Sequence, residues 1–264
     1  MTWTIRPRCE LAGLTAIEAG EGPGILLLHG VGLQAEAWNR QINALAVNHR
    51  VIAPDMPGHG QSPGTTREFR LADYTDAVEA AMVATRLDEP IMVAGHSMGT
   101  MIALDMAIRY PHRVCAVLAL NGIFERSAKA AVSVKARAAT LDGRSIPDPT
   151  GTLQRWFGDD LSPERTACHD WLISVDPGGY QMAYNAFADG NGPDRDALAN
   201  LSCPAIFMTG GLEPNSTPDM SQAMAELVPM GRAIVVEGAA HMMPMTHAQA
   251  VNAAFQDFAR EVWS

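Results

Sequence analysis

Apolar residues along this chain come in two rhythms, short unbroken runs and longer stripes at helical spacing, and the two alternate. Ile25–Leu28, Arg50–Pro54, Ile91–Ala94, Val114–Leu120 and Ala205–Thr209 are runs of the length and content that a strand buried on both faces requires. Leu14–Ala19 and Ala233–Glu237 read as further strands. Between them lie helical stripes: Trp38, Ile42 and Leu45 within Ala35–Ala46; Leu71, Tyr74, Val78, Ala81 and Met82; the apolar segment Met101–Tyr110; and Met220–Val228. A last helix is predicted from Val251, Phe255, Phe258 and Val262 on its buried face, with Thr246 and Gln249 at capping-box spacing ahead of it. Such alternation predicts an α/β fold, a mostly parallel central sheet with helices on both faces.

The rhythm changes between Gly122 and Leu201. Strand signals stop there, and the segment reads as helices separated by turns at Gly143–Thr150, Gly158–Ser162 and Asp189–Pro193. Ser162-Pro163 pairs a cap with a proline at the first helical position. Tyr180, Ala183, Tyr184 and Phe187 share one helical face. Residues 1–121 and 202–264 are thus expected to form the core, with 122–201 inserted between two strands as a helical lid over the strand ends.

Chemistry concentrates where Ile91–Ala94 ends. Gly95-His96-Ser97-Met98-Gly99 puts a serine at the bend between a strand and a helix, with a glycine two residues to either side. In such an elbow the serine backbone is strained, its hydroxyl stands free, and a Cβ at either glycine would strike the neighbouring strand or helix. The helix N-terminus behind it adds N–H groups where an oxyanion would form. His241, in the turn after the last strand, is the candidate proton carrier, because imidazole can take and return a proton near neutral pH. Glu213, just past Ala205–Thr209, is the candidate acid that would hold it; Glu125 is the competitor and Asp219 a weaker one at a helix start. At His29-Gly30-Val31-Gly32 the glycines let backbone N–H groups turn inward, so that Val31 and Met98 are the expected oxyanion donors. His29 itself is expected to be a packed loop residue. Trp38 is a candidate for the acyl side of the pocket, with a place in the core as the alternative. Trp156, Phe157 and Tyr184 are candidates for its lid side.

These positions, with Asp55-Met56-Pro57-Gly58-His59-Gly60-Gln61-Ser62 and Gly210-Gly211-Leu212-Glu213, resemble the α/β-hydrolase fold family over about residues 20–121 and 200–262. The resemblance implies Ser97 as nucleophile, His241 as base, Glu213 as acid, Val31 and Met98 as oxyanion donors, and Gly122–Leu201 as lid. The chain departs from the commonest pattern in having glutamate where most relatives have aspartate. Where some relatives carry the acid after the strand preceding the lid, this strand ends in Asn121, which has no charge to give.

A serine at the elbow points to acyl transfer on a small carboxylic ester or lactone, and the resemblance is greatest to enol-lactonases and small esterases. C–C hydrolysis of ring-cleavage products, cofactor-free lyase or perhydrolase chemistry, and non-catalytic ligand binding remain the alternatives. Arg126, Lys129, Lys135, Arg137 and Arg144 crowd the first part of the lid against Asp142 alone, and they include both lysines of the chain. A carboxylated substrate is one reading of that run and a solvated basic face the other.

Composition narrows the partners. A formal charge of −10 over 264 residues argues against nucleic acid and anionic membrane surfaces, both of which need a basic face. The run Met1 to Arg8 lacks the apolar core of a signal peptide, and no stretch is long enough to span a bilayer. Cys9, Cys115, Cys168 and Cys203 show no metal spacing, and Cys115 and Cys203 lie in apolar strand-like runs. The expectation is a reduced, cytoplasmic protein acting on a small molecule, with no cofactor and no metal, in an oligomeric state the sequence leaves open.

Overall fold

A computed structural model of the chain describes Trp3 and residues 5–264. Met1, Thr2 and Thr4, within the stretch read above for a signal peptide, lie outside the described residues. An eight-stranded sheet runs in the order β1-β2-β4-β3-β5-β6-β7-β8. Its strands are β1 (Cys9–Leu11), β2 (Leu14–Ala19), β3 (Gly24–Leu28), β4 (Arg50–Pro54), β5 (Ile91–His96), β6 (Val114–Leu120), β7 (Ala205–Gly210) and β8 (Gly231–Val236). From β4 through β8 the neighbours pair in parallel. Leu14–Ala19 runs antiparallel to both of its neighbours, and its partner β1 is too short to leave a pattern in the sequence.

The sheet is covered on both faces, as the alternation predicts. Each unbroken apolar run splits by the two-residue pleat period. Leu26 and Leu28 of β3 face one core with Tyr74, Val78, Ile102 and Met224. Ile25 and Leu27 face the other with Ile42, Leu45, Phe255 and Phe258. The first layer is built from α2 (Leu71–Ala84), α3 (Met98–Arg109) and the later α9 (Pro218–Leu227), and the second from α1 (Asn39–Leu45) and the C-terminal α11 (Ala248–Val262).

Several boundaries differ from the sequence reading. Ala35–Ala46 is a short 3-10 turn, Ala35–Trp38, followed by α1. The helix behind Ser97 begins at Met98 rather than Met101. The predicted capping box does not form. The Thr246 hydroxyl donates to the Met242 carbonyl at 3.2 Å, closing the short α10 (Met243–Thr246), and His247 heads α11 without a side-chain cap. Val262 and Cys115 are only partly buried, and all four cysteines are free.

Five helices fill residues 122–201: α4 (Ala128–Ala138), α5 (Thr150–Phe157), α6 (Pro163–Ser174), α7 (Pro177–Asp189) and α8 (Arg195–Ala199). Ser162, Asp176 and Asp194 cap the last three by accepting first-turn N–H groups. The insertion has its own core, in which Leu153, Phe157, Trp171 and Leu172 meet Leu33, Met242 and Met245. Those last three flank the loops after β3 and β8, so the insertion stands on the carboxyl-end loops of the sheet. Among the described residues no helix is long and apolar enough to cross a membrane.

Candidate active site

Strand β5 delivers Ser97 into a turn so tight that its backbone sits at φ 57°, ψ −118°, a left-handed region that costs a non-glycine residue about 1–3 kcal/mol. Neighbouring backbone forces this geometry and leaves no room at either glycine. A Cβ at Gly95 would lie 2.1 Å from the Gly99 carbonyl oxygen, and one at Gly99 would lie 2.1 Å from that of Leu28. The result is a half-buried serine at the head of a helix that is buried nearly all round.

The loop after β3 comes up against it. A Cβ on Gly30 would stand 3.1 Å from the Ser97 Cβ and 3.5 Å from its hydroxyl oxygen. His29 is a packed residue, as expected. Its Nδ1–H donates to the Gly30 carbonyl (2.8 Å) and its Nε2 accepts the Met56 N–H (2.9 Å). Burial presses its pKa down to about 4, so it stays neutral and braces the loop. Among the described residues no acceptor takes the N–H of Val31 or of Met98.

His241 lies beside the elbow. Its ring centroid is 4.8 Å from that of His96, the residue before Ser97. Glu213, with its side chain wholly buried, meets the His241 Nδ1 at 2.6 Å. Its other oxygen accepts the N–H groups of Asn215 (2.8 Å) and Ser216 (3.3 Å). Burial pulls this carboxyl upward, but His241 and the two N–H groups outweigh it and hold the pKa down to about 2. Glu213 is therefore an anion at any pH near neutrality, and with Nδ1–H given to it, Nε2 is left for another partner. Glutamate reaches across the extra methylene because its loop turns back immediately, Glu213 N–H to Gly210 carbonyl at 3.1 Å.

The competing acids are elsewhere. Glu125 is exposed and paired with Arg195 at 2.9 Å, and Asp219 is in the first turn of α9. Of the four aromatic candidates, Trp156 is the one laid on the site, its ring stacked over His241 at 5.3 Å and 21°. Phe157, the next residue, turns into the insertion's own core. Trp38 is 1 % exposed and belongs to the sheet core, edge-on to His96 and Phe255. Its reading as a pocket residue gives way to the core alternative. Tyr184 is half-buried next to Tyr180 and Phe187, with the Arg137 guanidinium 5.6 Å over its ring.

The basic run divides. Lys129 and Arg144 are exposed, and Lys135 lies 3.9 Å from an exposed Asp189. Arg126 is tied to the carbonyls of Gly190 and Phe187, and burial lowers its pKa to about 10. Arg137 donates to the Thr152 hydroxyl at 2.9 Å, and Arg155, from outside the run, donates to the same oxygen at 3.1 Å. Among the described residues no carboxylate pairs with Arg126, Arg137 or Arg155. Arg137, Thr152, Leu172 and Tyr180 line one small cavity. Leu172 and Tyr180 also crowd Gly32, where a Cβ would meet them at 2.6 and 2.9 Å.

Two residues that the sequence reading left without a role, His96 and Asn121, contact His241 directly; both donate to its carbonyl. In the sequence Asn121 stands out only for lacking a charge. The one available signal was a buried-strand end that finishes in a polar amide.

The described residues hold no group of three or more histidine, cysteine or acidic side chains that could bind a metal. A cavity of about 410 Å³ lined by Arg8, Cys9, Glu10, Gly13, Thr15 and Pro63 opens at the β1–β2 hairpin and shares no wall with the site.

Comparison with known proteins gives concordant results. Residues 25–254 match the model of the alpha/beta hydrolase family. The chain is 39% identical over 244 residues to an (E)-2-((N-methylformamido)methylene)succinate hydrolase of Acinetobacter baylyi, covering 90% of this chain and 91% of that one. Its fold superposes on an esterase from Thermogutta terrifontis with a TM-score of 0.87 at 23% identity, covering 98% of this chain and 100% of that one. The enol-lactonase of Burkholderia xenovorans superposes with a TM-score of 0.82 at 22% identity, over 96% and 100% of the two chains.

Proposed function

Since the chain belongs to the alpha/beta hydrolase family and is a hydrolase of that fold, we propose that it is a serine hydrolase acting on a small acyl substrate that carries carboxylate groups. The observation that carries the mechanism is the buried Glu213–His241 pair at 2.6 Å beside a serine held at positive φ. Ser97 Oγ attacks the acyl carbon while His241 Nε2 takes its proton. The developing oxyanion falls to the N–H groups of Val31 and Met98, both without other acceptors. His241 then returns the proton to the leaving group, and water releases the acyl-enzyme by the same steps in reverse order. Glu213 stays ionised throughout and holds the imidazole.

Residues 122–201 act as a lid. Their core closes on Leu33, Met242 and Met245, and Trp156 covers His241. Such a cover favours a small substrate over a polymer or a lipid aggregate.

The insertion supports a charge for the substrate. Arg137 and Arg155 converge on Thr152 with no carboxylate to neutralise them, four residues before the tryptophan stacked on His241. Two guanidinium groups held together in this way attract a bidentate anion. The Acinetobacter baylyi relative is named for a succinate derivative bearing a formamide, and a small dicarboxylate with an ester, lactone or amide bond is the substrate class we assign here.

The test is a panel of paired substrates, each a small ester, lactone or N-acyl compound with and without carboxylates, assayed on the wild type and on Ser97→Ala. Turnover is expected to favour the carboxylated members and to fall about a thousandfold or more in the variant. Equal activity of a folded Ser97→Ala protein defeats the mechanism. A preference for the uncharged members leaves the mechanism and removes the carboxylate.

A further inference from the structure

The imidazole of His241 is fixed at one end by Glu213, but a ring is only as well placed as the backbone that carries it. The His241 carbonyl receives two donors, His96 Nε2–H at 2.7 Å and Asn121 Nδ2–H at 2.6 Å. His96 is 2 % exposed and Asn121 is fully buried, so both donors are held away from solvent. Both residues come from strand ends, His96 from β5 and Asn121 from just beyond β6.

Asn121 cannot be turned over. Its Oδ1 accepts the Gly210 N–H at 3.1 Å and lies 3.0 Å from the Thr209 hydroxyl, which leaves only Nδ2 for the carbonyl. Thr209 and Gly210 end β7, and Gly210 is also where the Glu213 loop turns back. One amide therefore ties the strand before the insertion, the root of the acid's loop and the turn of the histidine. Asn121 adopts φ 49° to do so, a left-handed conformation that asparagine tolerates better than most residues.

His96 must donate from Nε2. Burial, and next the nearby His241, push its pKa down to about 3, so it stays a neutral donor while the adjacent ring gains and loses a proton.

We propose that Asn121 and His96 are positioning residues that hold His241 by its main-chain carbonyl and so set its ring between Glu213 and Ser97. This inference rests on the serine-hydrolase reading above. Asn121→Asp, assayed at a pH where the new buried carboxyl is ionised, is the sharpest variant: it keeps size and shape, removes the Nδ2–H donor and sets an anion against a carbonyl oxygen. Asn121→Asp is expected to lower kcat about a hundredfold, the scale of a catalytic group displaced by about 1 Å, with KM within about twofold of the wild type. The rate at which a fluorophosphonate labels Ser97 should fall in parallel.

His96→Gln, which retains an N–H donor, should keep more of kcat than His96→Leu. That pair carries the test if the aspartate variant fails to fold. A folded Asn121→Asp protein with wild-type kcat, a loss confined to KM, or equal kcat in His96→Gln and His96→Leu would overturn the inference. Failure of the fluorophosphonate to label even the wild type would instead strike the serine-hydrolase reading.

Discussion

Strand β3 and the inserted helix α4 bury their residues to very different depths. Every residue of β3 is buried, and Ile25 to Leu28 expose no measurable surface. In α4, Ala138 alone of eleven residues is buried. Between these extremes, the aromatic centre of the insertion, Phe157 and Trp171, stays 9 % exposed, while Phe207 and Phe255 in the sheet core are at 0 %. Of the groups proposed to do chemistry, Ser97 and Glu213 follow β5 and β7, strands of the deep region buried along their whole length, while His241 follows the edge strand β8, in which Val236 alone is buried. The groups proposed to recognise charge, Arg137 and Arg155, belong to the shallow one. On the proposed mechanism the nucleophile and the acid are held by strands packed on both faces, and substrate choice is left to side chains that can shift at little cost.

The contrast is most easily broken at its two glutamates. Glu213→Gln removes the anion from the core loop and should cost about a thousandfold or more in kcat, as loss of a buried triad acid does. Glu125→Gln, at the threshold of the insertion, should change kcat by less than about twofold, since that carboxylate is exposed and paired with Arg195. A reversed ranking would mean that the acid is supplied from the insertion.

A smaller effect should sharpen the division. Arg137→Met should raise KM for a carboxylated substrate by about ten- to a hundredfold, the range for a lost charged hydrogen bond. KM for an uncharged ester and kcat for both should stay nearly unchanged. A fall in kcat with both substrates would show that Arg137 acts on the reacting centre.

A third measurement bears on the buried histidines of the deep region. His29, His59 and His96 are each at most 2 % exposed, and burial holds their pKa values down to about 4, 3 and 3. The unfolded chain binds protons at these sites from about pH 6.5 downward and the folded chain does not, so stability must fall with acid. With all three engaged, the slope approaches about 4 kcal/mol per pH unit between pH 4 and 6. Urea unfolding across that range checks it, and a flat profile would mean that the histidines take protons in the folded state.

The deep region was also the more legible one. Buried parallel strands leave unbroken apolar runs, and the glycine spacing around Ser97 reports a contact with Leu28 that no other residue permits. The hairpin partner β1 left no such trace, because three residues at a sheet edge carry no period. Thr246 had the right spacing for a cap but spends its hydroxyl on the preceding turn, a choice made by the fold of residues 242–246. In the insertion the helices were legible and their contacts were not. Trp156 and Phe157 are adjacent and equally aromatic, yet one lies on His241 and the other in a local core. Their division depends on how α5 is rotated, which composition does not encode. Asn121 escaped for a related reason: its partners lie 88 to 120 residues further along the chain.

The left-handed backbone at Ser97 has a consequence for the history of such a protein. Glycine would adopt φ 57° without strain, so Ser97→Gly would abolish the hydroxyl and relax the backbone together. A mutational drift judged by stability alone would discard this serine. If Ser97 is the nucleophile proposed here, its retention depends on selection for turnover, and a copy released from that demand would be expected to lose Ser97 early and become sturdier as it did.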